Sequence, residues 1–228
     1  MRAHAAGPIL AAGGVGIVVL LAIAVTSDLS DGFDQSIIEA VRAPGLHDLL
    51  SPLRAITELG STGAVTVVAV LTLLVGVLIG PWLHGLIGAF AIGLASAGNQ
   101  ALKAVIARAR PDVLDPLVDE RGFSFPSGHS LLGMVAWGIL AVLVMRSRLP
   151  LNVRRGVVAV LAVLIVLIGL SRVWLGVHYP TDVLAGWTAG AVIVLLYARL
   201  TRRVSPEPAA AAVDADPGPP RSDPPAAG

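Results

Sequence analysis

The sequence predicts an all-α membrane protein, a bundle of six transmembrane helices with short interfacial helices. Two features of composition support this class: hydrophobic residues make up 55% of the chain and charged residues only 14%, whereas about a quarter of a soluble domain is charged. The third observation is that the apolar residues lie in long uncharged runs. Each run approaches the roughly 20 residues that a helix needs to cross a bilayer. A soluble enzyme and a wholly disordered protein are therefore excluded.

The predicted transmembrane helices follow these runs in order. They span roughly residues 7–26, 61–80, 83–106, 127–146, 154–172 and 180–200. Gly80-Pro81 separates the second helix from the third, because proline interrupts a helix. The first run follows Arg2 and ends in small residues, so a signal peptide is the alternative interpretation of that segment.

Residues outside the spans predict two further kinds of segment. The organisation is a first transmembrane helix over 1–27, interfacial helices over 28–60, a core with five transmembrane helices over 61–203, and a tail over 204–228. Apolar residues recur at helical spacing in 28–60, for example Phe33, Ile37 and Val41. Such helices lie on the outer membrane surface or pack against the bundle. The tail holds seven prolines and no aromatic residue, which predicts disorder.

The charged residues predict the orientation. With six spans, both termini lie on one side, together with these basic residues: Arg2, Arg146, Arg148, Arg154, Arg155, Arg199, Arg202 and Arg203. The opposite loops are acidic and carry Asp28, Asp31, Asp34, Glu39, Asp48, Glu58, Asp112, Asp115, Asp119 and Glu120. Because basic loops stay in the cytoplasm, both termini are predicted to be cytoplasmic. The simple interpretation of the acidic residues is a solvated outer face.

A first polar cluster closes the third span. Lys103 and Arg110 are seven residues apart, nearly two helical turns, so both are expected on one side of the helix before Pro111 stops it. Two cations on one face make an anion site. Taken alone, such a pair more often consists of cations that reach for the membrane surface.

A second cluster, Pro126-Ser127-Gly128-His129, opens the fourth span. Ser127 is a suitable N-cap, and Gly128 lets a ligand approach the backbone. Free amides at a helix N-terminus bind phosphate, with His129 at the rim. The alternative is a capping turn beside an interfacial histidine.

A third cluster joins the fifth and sixth spans. Arg172 ends one helix, and His178 and Asp182 open the next. Histidine and aspartate four residues apart can face each other, and the carboxylate then fixes the tautomer of the imidazole. A structural ion pair is the alternative.

The order of the spans brings the three clusters together. Spans three and five run outward and end at Lys103 and Arg172, while spans four and six begin outside at His129 and Asp182. All three clusters therefore face the same side of the membrane. Three cations, two histidines, one carboxylate and a helix N-terminus are predicted to surround one site.

These residues resemble a known family. Lys103 through Pro111, Pro126-Ser127-Gly128-His129 and Ser171-Arg172-x5-His178-x3-Asp182 are similar to the three signature motifs of the type 2 phosphatidic acid phosphatase family, whose members are membrane-bound lipid phosphatases. The resemblance covers about residues 30–200 and does not select one substrate. Undecaprenyl diphosphate and phosphatidic acid are the leading expectations.

The resemblance also implies a role for each site residue. Lys103, Arg110 and Arg172 bind the phosphoryl oxygens, and Ser127 and the Gly128 amide add hydrogen bonds. His178 attacks phosphorus, Asp182 holds its reactive tautomer, and His129 protonates the leaving oxygen, by way of a phosphohistidine. No metal ligands, cofactor motif or nucleic-acid partner is predicted; the expected partners are a lipid phosphate and membrane lipids.

Two features of the sequence have alternative interpretations. Arg108 and Arg121 either bind a second phosphate or are solvated arginines in a loop. A lipid transporter or flippase is the alternative function, since such proteins place polar residues within their spans; Asn99 and Gln100 form the main polar pair here. A catalytically inactive scaffold is disfavoured by the complete motif set.

Overall fold

All regular structure in the described chain is helical. The computed structural model describes residues 2–41, 50–79, 82–112 and 120–204. Its helices are α1 (Arg2–Thr26), α2 (Asp31–Val41), α3 (Leu50–Glu58), α4 (Thr62–Ile79), α5 (Trp82–Ile106), α6 (Gly128–Arg146), α7 (Leu151–Trp174) and α8 (Pro180–Val204). The predicted all-α class is confirmed.

Five helices within the described ranges are long and apolar enough to cross a membrane. They comprise Gly7–Thr26 of α1, all of α5, α6 and α7, and Pro180–Arg202 of α8. A sixth span results when Pro52–Glu58 of α3 and Thr62–Val77 of α4 are taken together across a bend of 47°. Phe90 of α5 and Val160 of α7 are 70% and 67% exposed, so these apolar side chains face the surroundings that lipid would occupy.

The predicted helix bounds hold to within a few residues. The largest difference is in α1, which begins at Arg2 rather than at 7; α8 ends at Val204 rather than at 200, and α7 begins at Leu151 rather than at 154. The predicted break at Gly80-Pro81 lies outside the described residues. So does the predicted tail, apart from Val204, which ends α8.

The two short helices occur where apolar spacing predicts them. On α2, Ile38 is buried and packs against Val173 of α7 and Val183 of α8, whereas Phe33 is half exposed. One face of α2 is therefore packed against the bundle, and the other is directed away from it. α3 contacts the bundle through Thr57, whose hydroxyl oxygen accepts a hydrogen bond from Arg172.

The core is centred on α6. Its Val135, Ala136 and Ile139 are fully buried, because α4, α5, α7 and α8 all pack around this helix. α8 approaches α6 closely at Gly186, where an added Cβ would lie 2.8 Å from the Ser127 carbonyl oxygen. The Ser127 amide also donates to the carbonyl oxygen of Asp182 at 3.0 Å. The beginnings of α6 and α8 are thus joined, and this junction places the second and third clusters side by side.

Candidate active site

The three sequence clusters meet at one end of the bundle around a cavity of about 350 Å³. Residues from all three clusters line it: Lys103 and Arg110, then Gly128 and His129, then His178. Asn99, Gln100, Glu120 and Arg121 complete its polar wall. Arg172 lines an adjoining cavity of about 440 Å³, which shares Glu120 and His129 with the first.

Lys103 and Arg110 are held at the cavity in a different way from the one predicted. α5 ends at Ile106, and Ala107 has a left-handed backbone with φ of 50°, so Lys103 and Arg110 do not share a helical face and Pro111 does not end the helix. Instead, Lys103 Nζ donates to the Phe123 carbonyl. Arg110 donates from Nη1 to the carbonyl oxygen of Val177 at 2.7 Å. Backbone carbonyls therefore hold both cations at the cavity.

Gly128 and His129 line the cavity at the start of α6, but Ser127 does not. Ser127 occupies the N-cap position without a capping hydrogen bond from its side chain. Its hydroxyl is fully buried and accepts from Ser130 Oγ at 3.0 Å. A Cβ on Gly128 would lie 3.1 Å from Asn99 Nδ2, so a side chain there would crowd the cavity wall.

His178 and Asp182 face each other across the first turn of α8. His178 Nδ1 lies 3.4 Å from Asp182 Oδ2, and the Tyr179 amide donates to the same oxygen at 2.9 Å. With a proton on Nδ1, the lone pair is on Nε2, which faces Arg110 Nη1 at 3.3 Å. Burial lowers the pKa of His178 to about 3 although the Asp182 carboxylate opposes that shift, so the ring is neutral at physiological pH.

Glu120 is the main site residue that sequence reasoning missed. Its carboxylate contacts Arg172 and lies 3.2 Å from Arg110 Nη2. It is also 3.9 Å from His178 Nε2 and 3.9 Å from His129 Nδ1. The interpretation of Glu120 as part of a solvated acidic face is wrong, because this residue places an anion inside the ring of cations and histidines. No motif spacing in the sequence marks it.

Arg172 is a buried cation next to Glu120 and the adjoining cavity. Only 1% of it is exposed. Nη1 donates to Thr57 Oγ1 at 2.8 Å, Nη2 contacts Glu120, and Nε has no hydrogen-bond partner among the described residues. A buried guanidinium with an unused donor beside a cavity favours an anionic ligand.

Arg108 fits neither of the roles predicted for it. Its side chain is 9% exposed and forms ion pairs of 2.8 Å with both Asp34 and Asp182. It does not line the cavity between the motifs, so it neither grips a second phosphate there nor lies solvated in a loop. Arg121, in contrast, does line that cavity.

Comparison with known proteins places this geometry in a family. The chain is 33% identical over 187 residues to phosphatidylglycerophosphatase B of Bacillus subtilis (strain 168), covering 78% of this chain and 88% of that protein. It is 36% identical over 74 residues to an undecaprenyl-diphosphatase of Sulfolobus acidocaldarius, covering 32% of each.

Comparison of the fold with solved structures leads to the same family. A crystal structure of a transmembrane PAP2-type phosphatidylglycerolphosphate phosphatase from Bacillus subtilis superimposes with a TM-score of 0.78 and 29% identity, covering 86% of this chain and 97% of that one. The family model of the PAP2 superfamily matches residues 84–205, a range that contains all three motifs. With more than half of the chain matched, the protein belongs to the PAP2 superfamily.

Proposed function

We propose that this membrane phosphatase hydrolyses a lipid phosphate through a phosphohistidine on His178. The observation that carries the proposal is the position of Glu120. Its carboxylate touches two arginines and lies within 3.9 Å of both histidines. An anionic group bound there would meet a nucleophile and a proton donor together, as phosphoryl transfer requires.

Cations and backbone amides bind the phosphoryl oxygens in this proposal. Lys103, Arg110 and Arg172 supply positive charge, and the amide of Gly128 lies at the N-terminus of α6, where the helix dipole favours anions. Ser127 lies outside the cavity and contributes indirectly, because its amide joins the start of α6 to Asp182. Charge stabilisation of this kind lowers the barrier most when the donors are fixed before the reaction begins. Most of these donors are already held by carbonyl or hydroxyl partners.

His178 attacks in the first step. Asp182 keeps the proton on Nδ1, so the Nε2 lone pair forms a bond to phosphorus while the bond from phosphorus to the lipid oxygen breaks. His129 gives a proton to that departing oxygen. In the second step, a water oxygen attacks phosphorus while the bond from phosphorus to Nε2 breaks. His129 takes the proton of the water, His178 is regenerated, and inorganic phosphate leaves.

The proposed reaction uses no metal. Among the described residues, no group of three or more His, Asp and Glu side chains is arranged to hold a metal ion. The role that a divalent cation often has in phosphoryl transfer is assigned here to Lys103, Arg110 and Arg172.

The lipid portion of the substrate is assigned to an apolar groove of about 650 Å³ between α1, α5 and α8. Phe90 and Leu94 of α5 and Leu196 of α8 are among its apolar lining residues. Asn99 lines both this groove and the polar cavity, so a lipid could place its head in one and its tail in the other. Phosphatidylglycerol phosphate, phosphatidic acid and undecaprenyl diphosphate are the substrates to compare.

The site is proposed to face the outside of the cell, with both termini in the cytoplasm. Arg146 at the end of α6 hydrogen-bonds Thr201 and the carbonyl of Ala198 near the end of α8. These residues lie at the end of the bundle opposite to His129 and His178. Basic residues favour the cytoplasmic side, which leaves the motif end outside.

The test is phosphate release by the purified protein from a panel of pure lipids in excess EDTA. We expect turnover without added metal, inhibition by orthovanadate, and a lower kcat/KM as the lipid chains are shortened. The His178→Ala protein is the control for contaminating phosphatase. A strict Mg²⁺ requirement would contradict the metal-free site, and a lack of release from every lipid would favour the transporter alternative.

A further inference from the structure

Arg108 joins three separate segments of the chain at the back of the site. It follows α5 and donates from Nη1 to Asp182 Oδ1 at 2.8 Å and to Thr181 Oγ1 at 2.9 Å. From Nη2 it donates to Asp34 Oδ2 of α2 at 2.8 Å. The guanidinium carbon also lies 3.9 Å above the centre of the Tyr179 ring. A planar guanidinium is suited to bridging two carboxylates in this way.

Asp34 anchors the other side of this bridge. It is fully buried, and Oδ1 accepts the amide of Thr181 at 3.0 Å while Oδ2 accepts the Thr181 hydroxyl at 2.6 Å. α2 is therefore fastened to the first turn of α8, one residue before Asp182. A buried carboxylate is costly unless it is paired and hydrogen-bonded, and Arg108 with Thr181 meets both needs.

The two oxygens of Asp182 consequently have separate partners. Oδ1 is held by Arg108, and Oδ2 is left to the Tyr179 amide and to His178 Nδ1. The same contacts raise the pKa of Arg108: burial alone would lower it, but the charges of Asp182 and Asp34 outweigh burial. The cation is permanent, and it offsets part of the negative charge that His178 experiences.

We infer that Arg108 and Asp34 are positioning residues for the nucleophile: they act through Asp182, fixing the rotamer of its carboxylate and the charge that reaches His178. This inference rests on the proposed role of His178. It gives the interfacial helix α2 a part in the reaction, since that helix carries Asp34.

The other charged groups around His178 determine in which direction its protonation shifts when Arg108 is replaced. They are Lys103 and Arg110 from the α5 end, Glu120 from the following segment, His129 from α6, Arg172 from α7, and Asp182 with Asp34 on the far side. Removing the Arg108 cation leaves the Asp182 charge less compensated. An imidazolium at His178 is then stabilised, and the ring protonates at higher pH.

The test compares Arg108→Met and Asp34→Asn with the wild type. For Arg108→Met we expect kcat to fall by about 100-fold with the inhibition constant of orthovanadate within about threefold, because Arg108 does not line the phosphate cavity. The acid limb of kcat/KM should move up by about one pH unit. Asp34→Asn should lower kcat by about tenfold, but its acid limb should stay or move down, since it removes an anion rather than a cation.

Conservative variants and matched controls separate positioning from folding. Arg108→Lys keeps the charge but cannot bridge both carboxylates, so it should recover part of kcat and most of the wild-type acid limb. Glu39→Gln is the control for Asp34→Asn, because Glu39 is an exposed acid on the same helix. Arg148→Met is the control for Arg108→Met at the far end of the bundle, where Arg148 is exposed.

Three outcomes overturn the inference: kcat of Arg108→Met within about threefold of wild type, an acid limb that does not move, or a loss of activity that only follows the folded fraction. If Arg108→Met does not fold, Asp34→Asn decides the matter: a kcat within about threefold of wild type, or an acid limb that moves up, overturns the inference. Full turnover by His178→Ala would instead reject the proposed function itself, so the two failures are distinguishable.

Discussion

The two nitrogens of His178 face different surroundings, and this asymmetry defines its chemistry. Nδ1 lies toward Asp182 and Nε2 toward Arg110 and Glu120. The ring is almost fully buried, so neither ring nitrogen is hydrogen-bonded to bulk water. A neutral ring with its lone pair directed at a bound phosphoryl group is the form that a nucleophilic histidine needs.

Replacement of His178 by alanine is expected to abolish turnover and leave orthovanadate binding largely intact, because the cations that bind phosphate remain. The wild-type protein should carry phosphate after a rapid quench with a radioactive lipid substrate. That label should be labile to acid and stable to base, as a phosphohistidine is, and the variant should lack it. Full turnover by the variant would identify another nucleophile.

The pH dependence of kcat/KM is the second prediction. His178 must be neutral to attack, and burial lowers its pKa to about 3. Its protonation should therefore reduce activity only well below pH 6.5, the ordinary histidine value. A nucleophile-dependent acid limb near pH 6.5, measured on an aryl phosphate and a lipid alike, would contradict the buried geometry.

In the proposed mechanism, Glu120 and a bound phosphoryl group have the same partners, Arg110 and Arg172, and this gives the third prediction. Glu120→Gln keeps the size of the side chain but removes its charge, so a bound anion no longer has to displace a carboxylate. The inhibition constant of orthovanadate should fall by about tenfold. Glu39→Gln, on the exposed face of α2, is the control. A higher constant together with a lower melting temperature would mean that Glu120 mainly holds the fold.

Spacing identified the motif residues at the cavity and missed the lining residues that no motif contains. His178 and Asp182 were found because four residues along a helix bring side chains together. Asn99 and Gln100 were noticed only as polar residues in a span, and Glu120 was assigned to solvent. Their positions depend on how α5, α6 and the segment between them pack, and linear spacing does not encode that packing.

At the scale of helices, the close contact between α6 and α8 decides where the site forms. Gly186 and Gly190 of α8 lie against the α6 backbone at Ser127 and Leu131. Small residues allow helices to approach in this way. The sequence shows many glycines in apolar runs, but it does not show which of them meet a neighbouring backbone.

Gly186→Ala is expected to separate the two helices, which is the fourth prediction. Its Cβ would lie 2.8 Å from the Ser127 carbonyl oxygen and 3.0 Å from the Leu131 amide nitrogen, and backbone atoms cannot turn away as a side chain can. Overpacking of this kind costs about 1–3 kcal/mol. Melting temperature and kcat should both fall. Gly93→Ala is the control, since nothing lies within 4 Å of its Cβ position; equal behaviour of the two variants would contradict the close contact.

The end of α5 was predicted at the right residue but with the wrong cause. The boundary at residue 106 was predicted correctly, yet Pro111 was given as the cause of the stop. The chain leaves the helix at Ala107 through a left-handed conformation, and Ser124 then donates its amide to the Arg108 carbonyl oxygen at 2.9 Å. This nonlocal pairing of two loop segments had no sequence signal.

At the scale of the whole molecule, composition was sufficient for the fold class. Long uncharged runs fix the number and place of the helices, since a lipid environment requires backbone groups to bond within a helix. The parity of the spans then directs all three motifs to one end of the bundle. The arrangement of helices around α6 follows from packing and was not predicted.

Orientation in the membrane gives the fifth prediction. A reporter that is active only outside the cytoplasm should be silent when fused after Arg203 and active when inserted near Asp115, because basic loops remain inside. A fusion of a cytoplasm-specific reporter at each position is the matched control and should give the complementary pattern. The reverse result would invert the order of the spans.

The hydrogen bond that joins Ser127 to Asp182 has a mechanical consequence. Bilayers differ in thickness, and helices respond by tilting, which displaces their ends relative to one another. Here the starts of α6 and α8 are fastened together by that bond and by the contact at Gly186. Because Arg146 also joins the end of α6 to Thr201 and Ala198 of α8, we expect the two helices to tilt as one unit. His129 and His178, which lie at the starts of α6 and α8, should then keep their separation. The distance between the proposed proton donor and the proposed nucleophile is therefore expected not to depend on the thickness of the membrane.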